Sequence, residues 1–342
     1  MSSNGKSKLK FGLYYDFRNP KQWHRPITDI YGEIFEQIVW ADQAGFDNVW
    51  ISEHHLVEDD YTPSVLPIAA AIAAKTRNIR IGSAVMDLPL HNPIRVAEDA
   101  ATVDVISNGR FELGVGVGYR VEEFESFGIP KVERGRRTTE ALEIIRCLLD
   151  GDTVTYRGRY YTVQNAKLAP LSVQQPRLPI WAGGFTPASA QRAAKFADGF
   201  LAVAGPSPDL FHQYVSALQT LGKSTNDLLL AGGPFWLIPS DDPEKTWNEA
   251  APHVLYQMNI YAEWLEKSGM PILPHLRDVS HLKEVGLLNV VDVDTCIATI
   301  KGFASSVPLT HFYAFTLPPG LPARWVQPHL ELFASKVIPV FR

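Results

Sequence analysis

Cysteine is scarce in this chain. Of its 342 residues only Cys147 and Cys296 are cysteines, and they lie far apart in segments with a helical pattern. Two distant cysteines provide neither a disulfide framework nor the paired spacing of a zinc site. We therefore expect a reducing compartment and a fold that needs no covalent cross-links.

An excess of charge and a long apolar run are also missing. The 32 basic and 37 acidic residues give a formal net charge of -5, which does not favour binding to nucleic acid or to an anionic membrane. The longest apolar stretch, residues 65–74, contains Pro67 and is too short to span a bilayer. Residues 1–10 lack the apolar core of a signal peptide, so we expect a cytoplasmic protein whose residues 1–8 form a disordered tail.

The chain does contain a regular alternation of short apolar runs with longer amphipathic ones. Eight runs have the pattern of strands: Lys10–Tyr15, Asn48–Ser52, Arg80–Met86, Phe111–Val117, Pro179–Ala182, Gly199–Val203, Leu228–Ile238 and His311–Phe315. The helical patterns between and after them cover Asp29–Ala44, Ser64–Thr76, Pro93–Ser107, Arg134–Leu149, Pro187–Phe196, Pro208–Leu221, Pro243–Lys267, Asp294–Ser306 and Pro322–Val337. A break is expected in the seventh of these helices, near Pro252.

Eight strand–helix pairs favour a closed parallel barrel over an open sheet. The sequence therefore predicts an α/β fold with a single (β/α)8 barrel domain over residues 1–342. Residues 152–179 form an insertion after helix 4, in which Thr153–Tyr156 and Tyr160–Val163 have the pattern of a β-hairpin. Residues 269–289, between strands 7 and 8, are predicted to be irregular.

In such a barrel the active face lies at the carboxyl ends of the strands. The residues that follow predicted strands are therefore the candidates for chemistry: Glu53, His54, His55, Asp87, Leu88, Gly118, Tyr119, Gly183, Gly184, Ala204 and Gly205.

The histidine pair is the first candidate. An imidazole titrates near neutrality, so His54 or His55 at a strand end is suited to acid–base catalysis. The alternative is a structural histidine bonded to a backbone carbonyl. A metal site is not expected, because adjacent residues of an extended chain point in opposite directions and the sequence has neither His-x-His at strand 1 nor His-Glu-x-x-His.

Glycines form the second group. Gly183 and Gly184 precede the helix that starts near Pro187, where backbone amides and the helix dipole can hold a phosphate, although a plain tight turn has the same pattern. Gly116 and Gly118 lack the spacing of a dinucleotide fingerprint and would leave room for a flat group over the barrel mouth. Aromatic residues near strand ends could line a pocket or fill the barrel core: Tyr14, Tyr15, Trp50, Tyr119 and Trp181.

Several motifs together resemble those of bacterial luciferase-like monooxygenases. They are Phe46–His55, Gly82–Pro89, Asn92–Asp99, Ser107–Gly114, Phe124–Gly128, Leu178–Gly184 and the tail from Pro319 to Pro339. The resemblance covers nearly the whole chain and is strongest from Phe46 to Gly128.

The resemblance implies a (β/α)8 barrel that binds reduced FMN or, in some branches, a deazaflavin coenzyme. It assigns acid–base catalysis to His54 and a non-prolyl cis peptide to the Ala84–Val85 bond. The residues that it implies for cofactor binding are Glu53, Ala84, Val85, Gly116, Tyr119, Gly183 and Gly184. The Glu-His-His order favours FMN over the deazaflavin coenzyme.

The chain departs from luciferase itself at two places. Gly116 and Val117 replace a cysteine and a phosphate-binding arginine, and Gly183-Gly184 replaces an acid–serine pair. Light emission is therefore not implied, and the phosphate must be held in another way. We expect the amides of Gly183 and Gly184 to hold it, and we expect Gly184→Val to weaken FMN binding while the fold stays intact.

The leading functional hypothesis is a two-component monooxygenase. A separate reductase would supply reduced FMN, because the chain has no dinucleotide fingerprint, and O2 and a small organic substrate would be consumed. The alternatives are a deazaflavin-dependent hydride transferase, a non-catalytic flavin-binding protein and a metal hydrolase barrel. We expect the protein to be a homodimer.

Overall fold

Eight parallel strands form the centre of the computed structural model, which describes residues 8–202, 208–226 and 228–342. Each strand pairs with the next, β3 pairs with β4, and β8 pairs with β1, so the ring closes. These barrel strands are β1 Lys10–Tyr15, β2 Asn48–Ile51, β3 Arg80–Ser83, β4 Phe111–Gly116, β5 Ile180–Gly183, β6 Gly199–Ala202, β7 Leu229–Gly232 and β8 His311–Phe315. The predicted (β/α)8 barrel is confirmed.

Helices surround the barrel and cover the outer faces of its strands. Their bounds are Ile27–Ala44, Val65–Lys75, Pro93–Ser107, Val121–Ser126, Arg134–Leu149, Pro187–Phe196, Pro208–Thr220, Pro243–Lys267, Val279–Val285, Val293–Ser306 and Ala323–Leu332. Because both faces of most strands are buried, the strands are apolar almost throughout, as expected for a parallel sheet. Within the described part of the chain, none of the helices combines the length and apolar character that crossing a bilayer would need.

Parts of two predicted segments lie outside the described residues. They are residues 1–7 of the expected tail, and Val203, Ala204 and Gly205 at the end of predicted strand 6. The predicted hairpin in the insertion after helix 4 is confirmed, with strands Thr153–Arg157 and Thr162–Lys167.

The region between strands 7 and 8 was predicted wrongly in two respects. Predicted strand Leu228–Ile238 is two strands, because β7 ends at Gly232 and a separate strand, Trp236–Pro239, pairs outside the barrel with Leu288–Val291. Residues 269–289 are not wholly irregular, since they contain helix Val279–Val285 and the start of that partner strand. The extra pair forms a separate two-stranded sheet.

The break predicted near Pro252 is absent from the long helix, which continues from Pro243 to Lys267. A proline inside a helix removes one hydrogen bond and crowds the preceding turn. The helix compensates through packing, because eleven of its residues, including His253 and Val254 next to the proline, are buried.

Two tryptophans fill the barrel interior below its carboxyl end. Trp50 of β2 and Trp181 of β5 are fully buried, and their rings meet edge to face with centroids 5.5 Å apart. Any Cβ at Gly82 or Gly199 would collide with these rings, so the two glycines supply the space that the indoles occupy. The interior is a packed core, and a ligand can bind only above it.

His311, at the start of β8, contacts Trp181 and gives a testable pH dependence. Burial, with Lys10 and Arg80 nearby, lowers its pKa to about 3, against about 6.5 for an unfolded chain. Its neutral form therefore contributes stability that is complete above the unfolded pKa and is lost as the pH falls toward the folded one. We expect His311→Gln to reduce the slope of unfolding free energy by about 1.4 kcal/mol per pH unit between about pH 6 and 4.

Urea unfolding at several pH values measures this slope independently of the absolute stability of the variant. The exposed His212→Gln is the matched control for the loss of one imidazole. Equal slopes in wild type and His311→Gln would contradict the assignment.

Candidate active site

A cavity of about 450 Å³ opens at the carboxyl ends of the barrel strands. It is lined by His54 and by all the residues that the resemblance implies for cofactor binding: Glu53, Ala84, Val85, Gly116, Tyr119, Gly183 and Gly184. His55, the other candidate for acid–base catalysis, does not line it. Of the aromatic candidates, Tyr14 and Tyr119 line the cavity, whereas Tyr15, Trp50 and Trp181 belong to the core. The placement agrees with the rule that barrel sites form at this end.

His54 follows β2 and is held at both ring nitrogens. Nδ1 lies 3.0 Å from Oε1 of Glu123, and Nε2 lies 3.1 Å from the Tyr119 hydroxyl. The ring is buried among Tyr61, Tyr119 and Trp264. Burial lowers the pKa of His54 although Glu123 opposes the shift, so the imidazole is neutral at physiological pH.

Glu123 fixes the tautomer of this imidazole. Its Oε1 also accepts hydrogen bonds from the His55 amide at 2.7 Å and from the Arg120 guanidinium at 3.1 Å. Burial opposes ionisation, but His54 and Arg120 together lower the pKa of Glu123. An ionised carboxylate only accepts, so Nδ1 of His54 donates and Nε2 is left as the basic nitrogen beside the cavity.

His55 belongs to a different group. The Nε2 atom of His55 lies 3.1 Å from Oε1 of Glu53. The Nε2 atom of His91 lies 2.7 Å from the same oxygen. Burial alone would raise the pKa of Glu53, but these two imidazoles lower it to about 2. The two adjacent histidines thus face different carboxylates, as the extended backbone predicts.

The spacing of these groups could also accommodate an ion. In Glu53–His55–His91 and in His54–Asp87–Glu123 the side-chain atoms lie within 4.8 Å of one another. Hydrogen bonds to Glu53 and Glu123 already account for the imidazole contacts in both groups. We therefore assign neither group as a metal site.

The Ala84–Val85 peptide bond is cis, which confirms the prediction made from the strand 3 motif. The Tyr14 hydroxyl donates to the Ala84 carbonyl at 2.9 Å. A Cβ at Gly116 or Gly183 would lie 2.5 or 2.6 Å from a methyl group of Val85. These two glycines therefore make room for the Val85 side chain, and both line the cavity. That Gly116 leaves space for a flat ligand stays a prediction.

A positively charged side chain also lines the cavity. Arg134, at the start of helix Arg134–Leu149, lines the cavity, and so do Thr186 and Ser189 in the first turn of the helix that begins at Pro187. Arg192 lies close enough that burial and the charge of Arg134 lower its pKa. Among the described residues, neither arginine forms an ion pair with a carboxylate. Of the described residues that line the cavity, Arg134 carries the one guanidinium group, and an unneutralised guanidinium favours an anion.

The structure contradicts two expectations for Gly184. Its amide is not free, because it donates to the Leu201 carbonyl at 3.4 Å. A Cβ at this position would lie 2.5 Å from that of Ser189, and φ is +157°. Gly184→Val therefore strains the fold, and it cannot serve as a clean test of phosphate binding.

Sequence reasoning missed Glu123, Arg120 and Arg134, and also the apolar wall of the cavity. The wall consists of Leu210, Phe235, Leu265, Met270, Ile272, Leu273 and Phe315. Glu122-Glu123 after strand 4 was the available signal, since an acidic pair in a strand–helix loop of a barrel lies at the active face. Nothing local in the sequence distinguishes Arg134 from its neighbour Arg136.

Known proteins with similar sequences include enzymes of two cofactor classes. The chain is 32% identical over 189 residues to the oxygenase component of flavin-dependent trigonelline monooxygenase from Acinetobacter baylyi, covering 55% of this chain and 52% of that one. It is 34% identical over 186 residues to F420-dependent glucose-6-phosphate dehydrogenase from Amycolatopsis mediterranei, covering 52% and 55%. The chain thus spans about half the length of these relatives.

Similarity of fold extends further than similarity of sequence. A monooxygenase from Streptomyces bottropensis superposes with a TM-score of 0.84 at 21% identity, over 98% of this chain and 100% of the other. The model of the luciferase-like monooxygenase family matches residues 9–283. Since that match covers most of the chain, the protein belongs to the luciferase-like monooxygenase family of oxidoreductases.

Proposed function

We propose that the protein is the oxygenase component of a two-component monooxygenase, which takes reduced FMN from a separate reductase and uses O2 to oxidise a small apolar organic substrate. The observation that carries the proposal is a single cavity that both His54 and Arg134 line. The relative from Acinetobacter baylyi, described as an oxygenase component, supports the two-component arrangement.

The residues present fit an anionic flavin. Arg134 would bind the phosphate, because this guanidinium lines the cavity and has no carboxylate partner among the described residues. Ala84 and Val85 would support the ring system from the barrel side. The bound flavin would supply the redox chemistry, since the side chains of the site offer acid–base groups.

The side chains of the chain itself would then have two tasks. His54, neutral and with Nε2 free of a metal or carboxylate, would accept a proton from the reacting group directly or through the Tyr119 hydroxyl. The apolar wall, including Phe235, Leu265 and Leu273, would hold an uncharged substrate and keep water out.

A second candidate, a deazaflavin-dependent hydride transferase, is favoured by the F420-dependent relative. Its cofactor also carries a phosphate and a flavin-like ring, so Arg134 and the Ala84–Val85 wall suit both cofactors. The substrate side of the cavity does not discriminate between them.

Binding and reactivity separate the candidates. Purified protein is titrated anaerobically with reduced FMN and with reduced F420, and O2 consumption is then followed with apolar test substrates. Tight binding of reduced FMN with substrate-dependent O2 consumption supports the proposal. Binding of F420 alone supports the hydride transferase, and FMN binding without turnover of any substrate supports a non-catalytic flavin protein.

A further inference from the structure

A third carboxyl group lies beside His54 and Glu123, and one of its oxygens receives no hydrogen bond from an N–H or O–H donor of the described residues. Asp87 lines the cavity with its side chain only 5% exposed, and its Oδ2 lies 3.9 Å from Nδ1 of His54. This buried Oδ2 is the oxygen without such a donor. An ionised carboxylate left in this state would carry a large desolvation penalty.

The charges around Asp87 come from two other elements. Glu53, which follows β2, accepts a hydrogen bond from the Asp87 backbone amide at 3.2 Å. Glu123 of helix Val121–Ser126 has a carboxylate oxygen within 4.8 Å of a carboxyl oxygen of Asp87. Arg120 is the nearby cation, but its guanidinium is bonded to Glu123 and to the His55 carbonyl. Burial and the carboxylates of Glu123 and Glu53 raise the pKa of Asp87 well above its usual range, and Arg120 offsets this only in part. A hydrogen bond to the Glu123 carboxylate, which only the protonated acid can donate, raises it further.

The three carboxyl groups therefore have different protonation. Glu53 is ionised because two imidazoles hold it, and Glu123 is ionised because it receives hydrogen bonds from His54, Arg120 and the His55 amide. Asp87 receives no such support for its charge. When close carboxyl groups compete, the one with the fewest donors keeps the proton.

His54 cannot be the resting acid of this site. Its Nδ1 proton is bound to Glu123 and its Nε2 is the acceptor for Tyr119, so it can take a proton but has none to give to the cavity. We propose that Asp87 is the neutral carboxylic acid of the cavity and works with neutral His54 as an acid–base pair.

The proton count of the pair balances. Asp87 gives its proton to a basic atom of the bound ligand and becomes a carboxylate, while His54 takes one proton at Nε2 and becomes an imidazolium. The resulting charges lie 3.9 Å apart and attract each other. The catalytic part of this inference rests on the proposed function, whereas the protonation of Asp87 does not.

Infrared spectroscopy tests the protonation in the whole protein without any flavin. A protonated carboxylic acid has a carbonyl band that carboxylates lack. At about pH 8 we expect this band in the wild type and its loss in Asp87→Asn. Asp16→Asn is the matched control, because Asp16 is also buried but its pKa is raised only to about 6, so the variant should keep the band. A wild-type band that survives in Asp87→Asn, or no band in the wild type, overturns the proposal.

Glu123→Gln provides a second measurement that does not depend on the folding of the Asp87 variant. Removing the negative charge of Glu123 should let Asp87 ionise more easily, so the band should disappear at lower pH than in the wild type. An unchanged titration of the band overturns the assignment.

Turnover tests the catalytic part once a cofactor and a substrate are in hand. We expect Asp87→Asn to lose at least about 100-fold in kcat and to lose the alkaline limb of the pH profile, with flavin affinity retained. Wild-type turnover in this variant overturns the catalytic role. If neither cofactor binds, the proposed function fails, and with it the catalytic role, while the infrared result still decides the protonation of Asp87.

Discussion

Replacing His54 with asparagine is expected to slow turnover by roughly 10²–10⁴-fold and to change flavin affinity much less. The reason is that Nε2 is the basic atom beside the cavity, while the ring is positioned by Glu123 through Nδ1. Asparagine can keep a hydrogen bond to Glu123 but supplies no base. Steady-state kinetics and a flavin titration on the same preparation measure the two effects separately.

The pH profile adds a readout that loss of structure does not produce. Because burial lowers the pKa of His54, the base stays unprotonated at pH values where an exposed histidine would already be protonated. Wild-type kcat/KM should therefore fall only at distinctly acidic pH. That acidic limb should vanish in His54→Asn. His212→Asn is the matched control, since His212 is exposed and does not line the cavity. If His54→Asn keeps wild-type turnover, His54 has no part in the mechanism.

Replacing Arg134 with glutamine is expected to weaken FMN binding by roughly 10- to 100-fold, which corresponds to the loss of one hydrogen bond to a charged group. Arg134 lines the cavity, and no carboxylate of the described residues competes with a phosphate for it. The melting temperature should change little, because the side chain is only partly buried. Fluorescence titration with FMN gives the affinity.

Riboflavin makes this test specific for the phosphate. It lacks that group, so its affinity should be the same for wild type and Arg134→Gln. Arg136→Gln, an exposed position on the same helix, is the matched control and should bind FMN as the wild type does. Equal loss of FMN and riboflavin binding in Arg134→Gln would mean that the arginine shapes the cavity and does not hold the phosphate.

The barrel could be predicted because its strands and helices are marked locally. Parallel strands covered on both sides are apolar runs, and glycine or proline separates them from amphipathic helices, as in Arg134–Leu149, whose predicted bounds match the structure. The strands Leu229–Gly232 and Trp236–Pro239 could not be distinguished from one continuous strand by the same local pattern. Both strands are apolar, and only pairing with Leu288–Val291, about 50 residues away, removes Trp236–Pro239 from the barrel.

The site was predictable to the extent that it follows strand ends. His54 and Gly183 were found because position in a barrel identifies them, and the Ala84–Val85 cis bond was found because a motif resembles that of a known family. Glu123 comes from a short helix 69 residues after His54, so its contact depends on the closed fold. The protonation of Asp87 depends on burial and on charges from two other elements, which no local pattern contains.

The tryptophan–glycine contacts in the barrel interior restrict how this sequence can evolve. Removing the indole of Trp50 leaves a large void under the cavity, whereas any side chain at Gly82 collides with that indole. A single substitution at either Trp50 or Gly82 therefore destabilises the fold. Moving the large side chain from one strand to its neighbour requires both residues to change together. The same holds for Trp181 and Gly199. Among related sequences we expect the two members of each pair to covary, so that one lineage inherits a large residue on one strand or on its neighbour, but not on both.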